Sequence, residues 1–406
     1  MATNQVLELE AKACFNFFWN EANTDKSSLG YGLIRDKTGE ATKNMASIAS
    51  VGFGLSAIVI GIERGWITRV AGQERAQGTL NTFLHHAEHC EGFFFHFLNM
   101  ETAQKYEAFY DCASIIDTSI FLNGALTAAA YFGGEIKEQF EQIYQRVNWQ
   151  RYYDEEKNCY YMGYTPEGGG FGHWDMYAEQ LMQYILGVAS PTHPVPAKIY
   201  QGFARDLGRY GQYEFYNSPG GSLFTHQYSH AWFNFKDWVD YEGINWFENS
   251  VTATLAARQY CIDHAKVFKT FSKNSWGLTA CEGPSGYKGY GSAPFHPTCD
   301  ALINDGTVAP AAAAGSLIFT PEESIAALEH FYYHVPQLWS RYGFLDAYNL
   351  DLNWVADIVI GIDKGITLMM IENYRSNLIH DLYMNHEIVK KATALLGWKL
   401  NNNKNL

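Results

Sequence analysis

A set of carboxylates in this chain sits at the ends of apolar segments or in loops rich in glycine and aromatic rings: Asp36, Asp111, Asp117, Glu179, Glu282, Asp305, Asp351, Asp363 and Glu372. None lies on an ordinary polar helix face. Hydrolysis of a glycosidic bond needs two such groups. One carboxylic acid protonates the leaving oxygen, and a second carboxylate activates water or attacks carbon. It also needs rings and hydrogen bonders to hold the sugar. Residues 210–245 and 274–318 are irregular and rich in such groups, among them Tyr213, Tyr216, His226, Tyr228, His230, Trp232, Trp276, Tyr287 and Tyr290. Any one of these acids could simply cap a helix or pair with an arginine. The ensemble is what points to chemistry.

Glu179 leads the set. It lies in Trp174-Asp175-Met176-Tyr177-Ala178-Glu179-Gln180-Leu181, after the glycine-rich lead-in Gly168–Gly172 and before the stop Ser190-Pro191-Thr192-His193-Pro194. Apolar positions Met176, Tyr177, Leu181, Tyr184, Ile185 and Val188 recur at spacings of three and four, which predicts one buried helix face. A carboxylate in the first turns of that helix, next to a loop, is placed to act as acid or base. The alternative is that it only complements the helix dipole.

Other chemistries find little support. His85 and His89 share a helical spacing, but no H-E-x-x-H pattern accompanies them, so they are expected to be partly exposed helix histidines and no metal is called for. His226 and His230 are expected to make hydrogen bonds in an aromatic cleft. There is no G-x-S-x-G elbow and no phosphate-binding G-x-x-x-x-G-K-[ST] loop. No cofactor is expected. Seven cysteines, an odd number with no C-x-x-C pair, read as buried free thiols of a reducing compartment.

The balance of 43 Asp+Glu against 29 Lys+Arg, net −14, argues against nucleic acid and anionic membrane as partners and fits a neutral polyhydroxylated substrate. Aromatics make up 16% of the chain, enough for stacking platforms or a large core. The N-terminal Met1–Gln5 has no basic or long apolar region, so a cytoplasmic location is the expectation. No run reaches the ~18 apolar residues of a membrane span.

Around these groups the spacing predicts helices at 5–22, 44–64, 68–89, 113–132, 135–147, the Glu179 segment, 197–207, 245–264, from Pro321, 366–377 and 385–396. Phe93–Met100 and Cys159–Tyr164 read as strands. Very apolar helices alternate with more polar ones, which suggests an inner and an outer ring. No linker or repeat divides the chain. The expectation is an all-α, (α/α)6 toroid in one domain, 1–406, with long loops and short strands gathered at one mouth.

Several motifs carry a resemblance. They are Gly32-Leu33-Ile34-Arg35-Asp36, Ile115-Ile116-Asp117-Thr118, Tyr177-Ala178-Glu179-Gln180, His226-Gln227-Tyr228-Ser229-His230, Trp246-Phe247-Glu248-Asn249-Ser250, Glu282-Gly283-Pro284-Ser285-Gly286-Tyr287, Asp305-Gly306-Thr307, Asn353-Trp354, Gly361-Ile362-Asp363-Lys364-Gly365 and Met370-Ile371-Glu372-Asn373-Tyr374-Arg375. In this order they resemble the bacterial glucoamylase-like domain family. That family includes endo-β-1,2-glucanases, a sophorose-releasing β-1,2-glucooligosaccharide hydrolase and the cyclisation domain of cyclic β-1,2-glucan synthases. The resemblance implies an (α/α)6 barrel, a metal-independent inverting mechanism and glucan substrates. It implies Glu179 as general acid, Asp363 as base, and Asp117 as a further acidic residue of the cleft. Arg35, Asp36, His226, Tyr228, Glu282, Tyr287, Asp305, Trp354 and Glu372 would hold the sugar, with Asp111, Trp174 and Tyr177 as further candidate contacts. Members often carry Asp where this chain has Glu282, and Gln and Pro where it has Lys364 and Ile366. Alternatives are another glucan linkage, transglycosylation, or sugar binding without catalysis.

Overall fold

The structure is a computed structural model and describes residues 4–107, 112–295 and 304–401. It is mostly helical. The helices are α1 (Gln5–Asn20), α2 (Ile48–Glu63), α3 (Arg69–His85), α4 (Ile115–Phe132), α5 (Gly134–Arg146), α6 (Leu181–Ala189), α7 (Trp246–Asp263), α8 (Pro310–Ala314), α9 (Pro321–His334), α10 (Gly361–Ser376), α11 (Leu378–Met384) and α12 (Glu387–Leu396). Short antiparallel ribbons connect them; the longest strand, Cys159–Thr165, pairs with Gly169–His173, Ala113–Ser114 and Tyr153–Asp154.

Local chemistry sets the helix starts. Side chains of Asn4, Ser114 and Asn245 accept backbone amides of the first turns of α1, α4 and α7. Each satisfies a donor that the helix itself leaves open. α2 and α4 are buried on nearly every side, so periodicity alone could not orient them. α5 and α12 carry one apolar stripe and an exposed polar face.

α2 packs against α4 and α10; α4 also touches α5 and α6, and α10 also touches α1 and α8. Glycines permit the closest of these approaches. A Cβ on Gly124 would lie 1.8 Å from the Gly52 carbonyl oxygen, and one on Gly52 would lie 2.4 Å from the Ile120 carbonyl oxygen. Backbone atoms cannot swing aside as a flexible side chain can. Gly124→Ala is therefore expected to cost at least roughly 1–3 kcal/mol of stability, the scale of overpacking in a tight core. Denaturant unfolding of the variant beside wild type measures it, and an unchanged midpoint would contradict this packing.

α2, α4, α6 and α10 run in the same direction. Glu63, Ala129, Ala189 and Glu372, at or near their C-terminal ends, line one cavity of about 1110 Å³. At the other end, a Cβ on Gly361 of α10 would fall 2.0 Å from Ser50 Oγ of α2. Four helix N-termini therefore face one end of the molecule.

The structure shifts several expected boundaries. The helix expected from Met176 begins at Leu181, because residues 176–180 form a turn laced by Gln180. The helix expected at 197–207 is only a 3-10 turn at Ala197–Gln201, since Leu207–Tyr210 pairs with Tyr213–Tyr216. α10 begins at Gly361, earlier than the expected Ile366, which brings Asp363 from a loop into the first helical turn. α8 comes from the segment read as irregular, and α11 occupies 378–384, between the two expected helices 366–377 and 385–396. His89 lies in a strand with Cys90, outside the helix that carries His85. Four described cysteines are buried as expected, but Cys90 and Cys112 are only partly so, and all six described are free thiols; Cys299 lies outside the described residues.

Candidate active site

Glu179 occupies the turn that leads into α6. Ser229 Oγ donates to the Glu179 carbonyl at 2.6 Å and accepts from the Met182 amide at 3.0 Å. Gln180 closes the turn through the Ala178 amide and the Met176 carbonyl. The side chain is thus held by its own backbone. Burial pushes its carboxyl up to about 7; its backbone amide opposes this, and the charge on Asp117 adds to it. Tyr177 lies behind it, stacked on Trp246 with ring centres 4.5 Å apart and with His226 at 5.2 Å. Burial holds His226 down to about 3, so it is a neutral imidazole.

Asp117 stands in the first turn of α4. Ser114 Oγ accepts its amide at 3.3 Å and donates to its carboxylate, and His96 Nε2 lies 3.6 Å from Asp117 Oδ1. Asp36 belongs to the same group. Burial raises its carboxyl, the charges on His96 and Lys37 lower it, and Asp117 raises it again.

Asp363 stands in the first turn of α10 and is buried. Its carboxyl lies within hydrogen-bonding reach of that of Asp346, also buried, and Asp346 Oδ2 accepts the Glu282 amide at 2.7 Å. Burial and the charge on Asp346 push Asp363 well above the usual carboxylate range. Tyr228 ties the two sides together. Burial raises its hydroxyl, and that hydroxyl is within electrostatic reach of Asp363, Tyr287, Glu179 and Asp117.

The arrangement gathers carboxyls of different character around one phenol. Glu179 can carry a proton near neutrality. Asp117 and Asp363 both sit in the first turns of their helices. A proton donor and a proton acceptor in one acidic cluster are the parts of general acid–base catalysis. Among the described residues no group of three or more His, Cys, Asp or Glu side chains is placed to hold a metal ion.

The family model Glycoamylase ("Putative glucoamylase") matches residues 172–387, a span that holds Glu179, Tyr228, Asp346 and Asp363. The chain belongs to the Glycoamylase family. Beyond that model, this Glycoamylase chain is 29% identical, over 97% of its length, to an exo β-1,2-glucooligosaccharide sophorohydrolase (non-reducing end) of Parabacteroides distasonis. It spans 58% of the length of that curated relative. Among solved structures it is similar to an endo-β-1,2-glucanase from Chitinophaga pinensis with sophorotriose and glucose, at TM-score 0.88 and 28% identity, covering 98% of this chain and 99% of that one. A β-1,2-glucanase from Parabacteroides distasonis gives TM-score 0.87 at 27% identity, covering 98% of this chain and 60% of that one.

Not every residue expected in the site of this Glycoamylase chain lies with the acidic cluster. Arg35 is committed to Glu21 at 2.8 Å and to the Gly39 carbonyl, because neighbours in extended chain point opposite ways and Asp36 takes the inner side. Asp305 braces its own turn: Oδ1 accepts from Thr307 at 3.0 and 2.6 Å, and Oδ2 from the Tyr290 hydroxyl at 3.0 Å. Glu372 is nearly two and a half turns along α10 from Asp363, roughly 13 Å by helical rise. There it binds Arg64 through two bonds of 2.9 and 2.6 Å and lines the cavity at the opposite end. Trp174 is buried, and Trp354 lies in a ribbon with Asn349. Glu282 reaches Lys37 at 3.8 Å, and Tyr287 is half-exposed beside Asp363 and Asp346. Asp111 lies outside the described residues. Asp346 is a site residue that the sequence reading does not select, since it stands in a loop-rich stretch like any other aspartate.

Proposed function

We propose that this chain is an inverting glycoside hydrolase of β-1,2-linked gluco-oligosaccharides or β-1,2-glucan. Glu179 is the general acid, Asp363 the base, and Asp117 a further acidic group of the cleft. The observation that carries the reading is a buried carboxyl pushed up to about 7, with Asp117 and Asp363 within electrostatic reach of the same Tyr228 hydroxyl. The β-1,2-glucan activities named for relatives that align along nearly the whole chain support the substrate.

In this mechanism Glu179 gives its proton to the glycosidic oxygen as the C–O bond breaks. Water attacks the opposite face of the sugar and passes its proton to Asp363. Neutral His226, Tyr228, Tyr287, Asp36, Glu282 and Trp354 supply hydrogen bonds and ring surface. The fold is read as one (α/α)6 domain. Its inner ring would be α2, α4, α6, the turns at Leu223–Ala231, α8 and α10. Helix contacts support this, as do the Ser229–Met182 bond and the 2.8 Å bond from Gln227 to the Ala312 carbonyl. One hydrophobic core running from Val6 to Trp398 supports a single domain.

The test is incubation with β-1,2-glucan and its oligomers beside starch, laminarin and cellulose oligomers, following the anomer first released by NMR. Cleavage of the β-1,2 substrates with inverted anomer is expected. Cleavage confined to starch would favour the activity in the family's description, longer products would mean transglycosylation, and tight binding without turnover would mean a lectin-like role.

The acid also sets a pH dependence. A carboxyl with a raised value is protonated below that value and ionised above it. Turnover is therefore expected to fall as pH rises through about 7. A rate flat to pH 9 would remove Glu179 from the acid role.

A further inference from the structure

Asp346 has no place in the two-carboxylate mechanism, yet its environment is unusual. Asp346 Oδ1 and Asp363 Oδ2 are both sealed from solvent, and neither finds a donor. The two carboxyls nevertheless lie within hydrogen-bonding reach of one another. An ionised carboxylate only accepts, so a bond between two of them requires a proton on one. A proton on either carboxyl would supply a donor that the orphaned oxygens lack. The cavity behind the pair is about 10 Å³, room for no more than one water, so hydration cannot keep both charged.

The surroundings disfavour a second negative charge on the pair. Asp346 Oδ2 is already occupied by the Glu282 amide. The nearby lysine, Lys364, is turned away, with its ammonium on Glu10 at 3.0 Å and on the Phe344 carbonyl. The other titratable groups facing the pair are Asp36, Glu282, Tyr228, Tyr287 and Cys281; the acids among them repel a second negative charge, and the phenols and thiol are held neutral by burial. α8, which lines the same cavity, offers only Pro310, Ala311 and Ala314.

We propose that Asp346 and Asp363 hold a single proton between them and that Asp346 is the positioning residue that takes this proton when Asp363 accepts one from water. This rests on Asp363 being the base. The balance closes. The shared proton moves to Asp346, Asp363 becomes the acceptor, water loses one proton to Asp363 and its oxygen bonds to carbon, and Glu179 loses one proton to the leaving oxygen. The dyad thus keeps one negative charge available in a site too dry for two.

Infrared spectroscopy at neutral pH tests it. Glu179→Gln serves as parent, which removes the other protonated carboxyl. The parent is expected to show a buried carboxylic-acid band. Asp346→Asn and Asp363→Asn, each added to that parent, should both abolish it, because either change leaves one unopposed carboxylate. An ordinary buried acid would lose its band in only one of them. Absence of the band in the parent, which needs neither Asn variant to fold, overturns the proposal, as does its persistence in either variant. In the Glu179-containing enzyme, Asp346→Asn should move the acidic limb of kcat/KM up, since the single negative charge on the pair loses the carboxylic-acid proton that stabilises it and keeps only a weaker amide donor. A lower kcat with the limb unmoved would mark a structural role only and overturn the proposal. If the chain cleaved no glucan while the band behaved as described, proton sharing would stand and the hydrolase reading would fall.

Discussion

Glu179→Gln is expected to lower kcat on β-1,2-linked oligosaccharides by about 10²–10⁴-fold, the usual contribution of a positioned general acid. The amide keeps the shape of the side chain and the backbone bonds from Ser229 and Gln180 that hold the turn. It has no proton to give to a leaving oxygen. KM should change little. An aryl glucoside whose leaving group needs no protonation should lose far less than the natural substrate. Equal losses on both would sink the acid assignment, because damage to the site in general does not discriminate between leaving groups. The same variant should be the more thermostable protein at pH 8. In wild type the carboxyl is protonated more readily folded than unfolded, so its contribution is favourable at low pH and is lost as pH rises through about 7. Glutamine has no such dependence, and the two melting temperatures should approach one another when the pH is changed from 8 to 4.

The second large effect is on stability. Lys364→Gln should cost roughly 3–5 kcal/mol, the scale for leaving one partner of a buried ion pair uncompensated. Glu10 and Lys364 are 1% and 5% exposed by side chain, so solvent cannot take over the lost charge. Glu10 has other duties: Oε2 accepts the Phe344 amide at 3.0 Å, and Cys14 Sγ donates to Oε1 at 3.2 Å. The lysine ammonium also caps the Phe344 carbonyl. This cluster joins α1, α10 and the segment that leads into Asp346. Pairing the change with Glu10→Gln should return much of the loss, since two amides can bond to each other without a buried charge. A double-mutant cycle by denaturant unfolding measures the coupling. Lys364→Gln alone unfolding like wild type would show that the pair adds nothing.

The bridge from Glu10 to Lys364 also shows why part of the site was hidden. Lys364 stands beside Asp363 in the sequence, and nothing in either stretch points to Glu10. The fold instead sends its ammonium to α1. Arg35 and Asp36 behave alike: adjacent in sequence, they serve opposite sides of one extended segment. Glu372 has the same helix as Asp363 and the same apolar neighbourhood, yet helical rise alone carries it to the other end of the molecule. Asp346 went unselected because nothing in its local pattern marks it apart from an ordinary loop aspartate. Its meaning comes only from the carboxyl it faces.

The amino-acid sequence by itself determined the helical character, most helix positions, and the acidic, aromatic inventory from which a sugar site could be built. These follow from interactions a few residues apart, which spacing and side-chain type record directly. The tertiary structure alone decided which carboxyls meet. Glu179, Asp117 and Asp363 come from distant parts of the chain and share Tyr228 only after helices pack through contacts such as Gly52 on Gly124. Proton affinity depends on burial and on neighbouring charge, and both are properties of the assembled interior that no stretch of sequence contains.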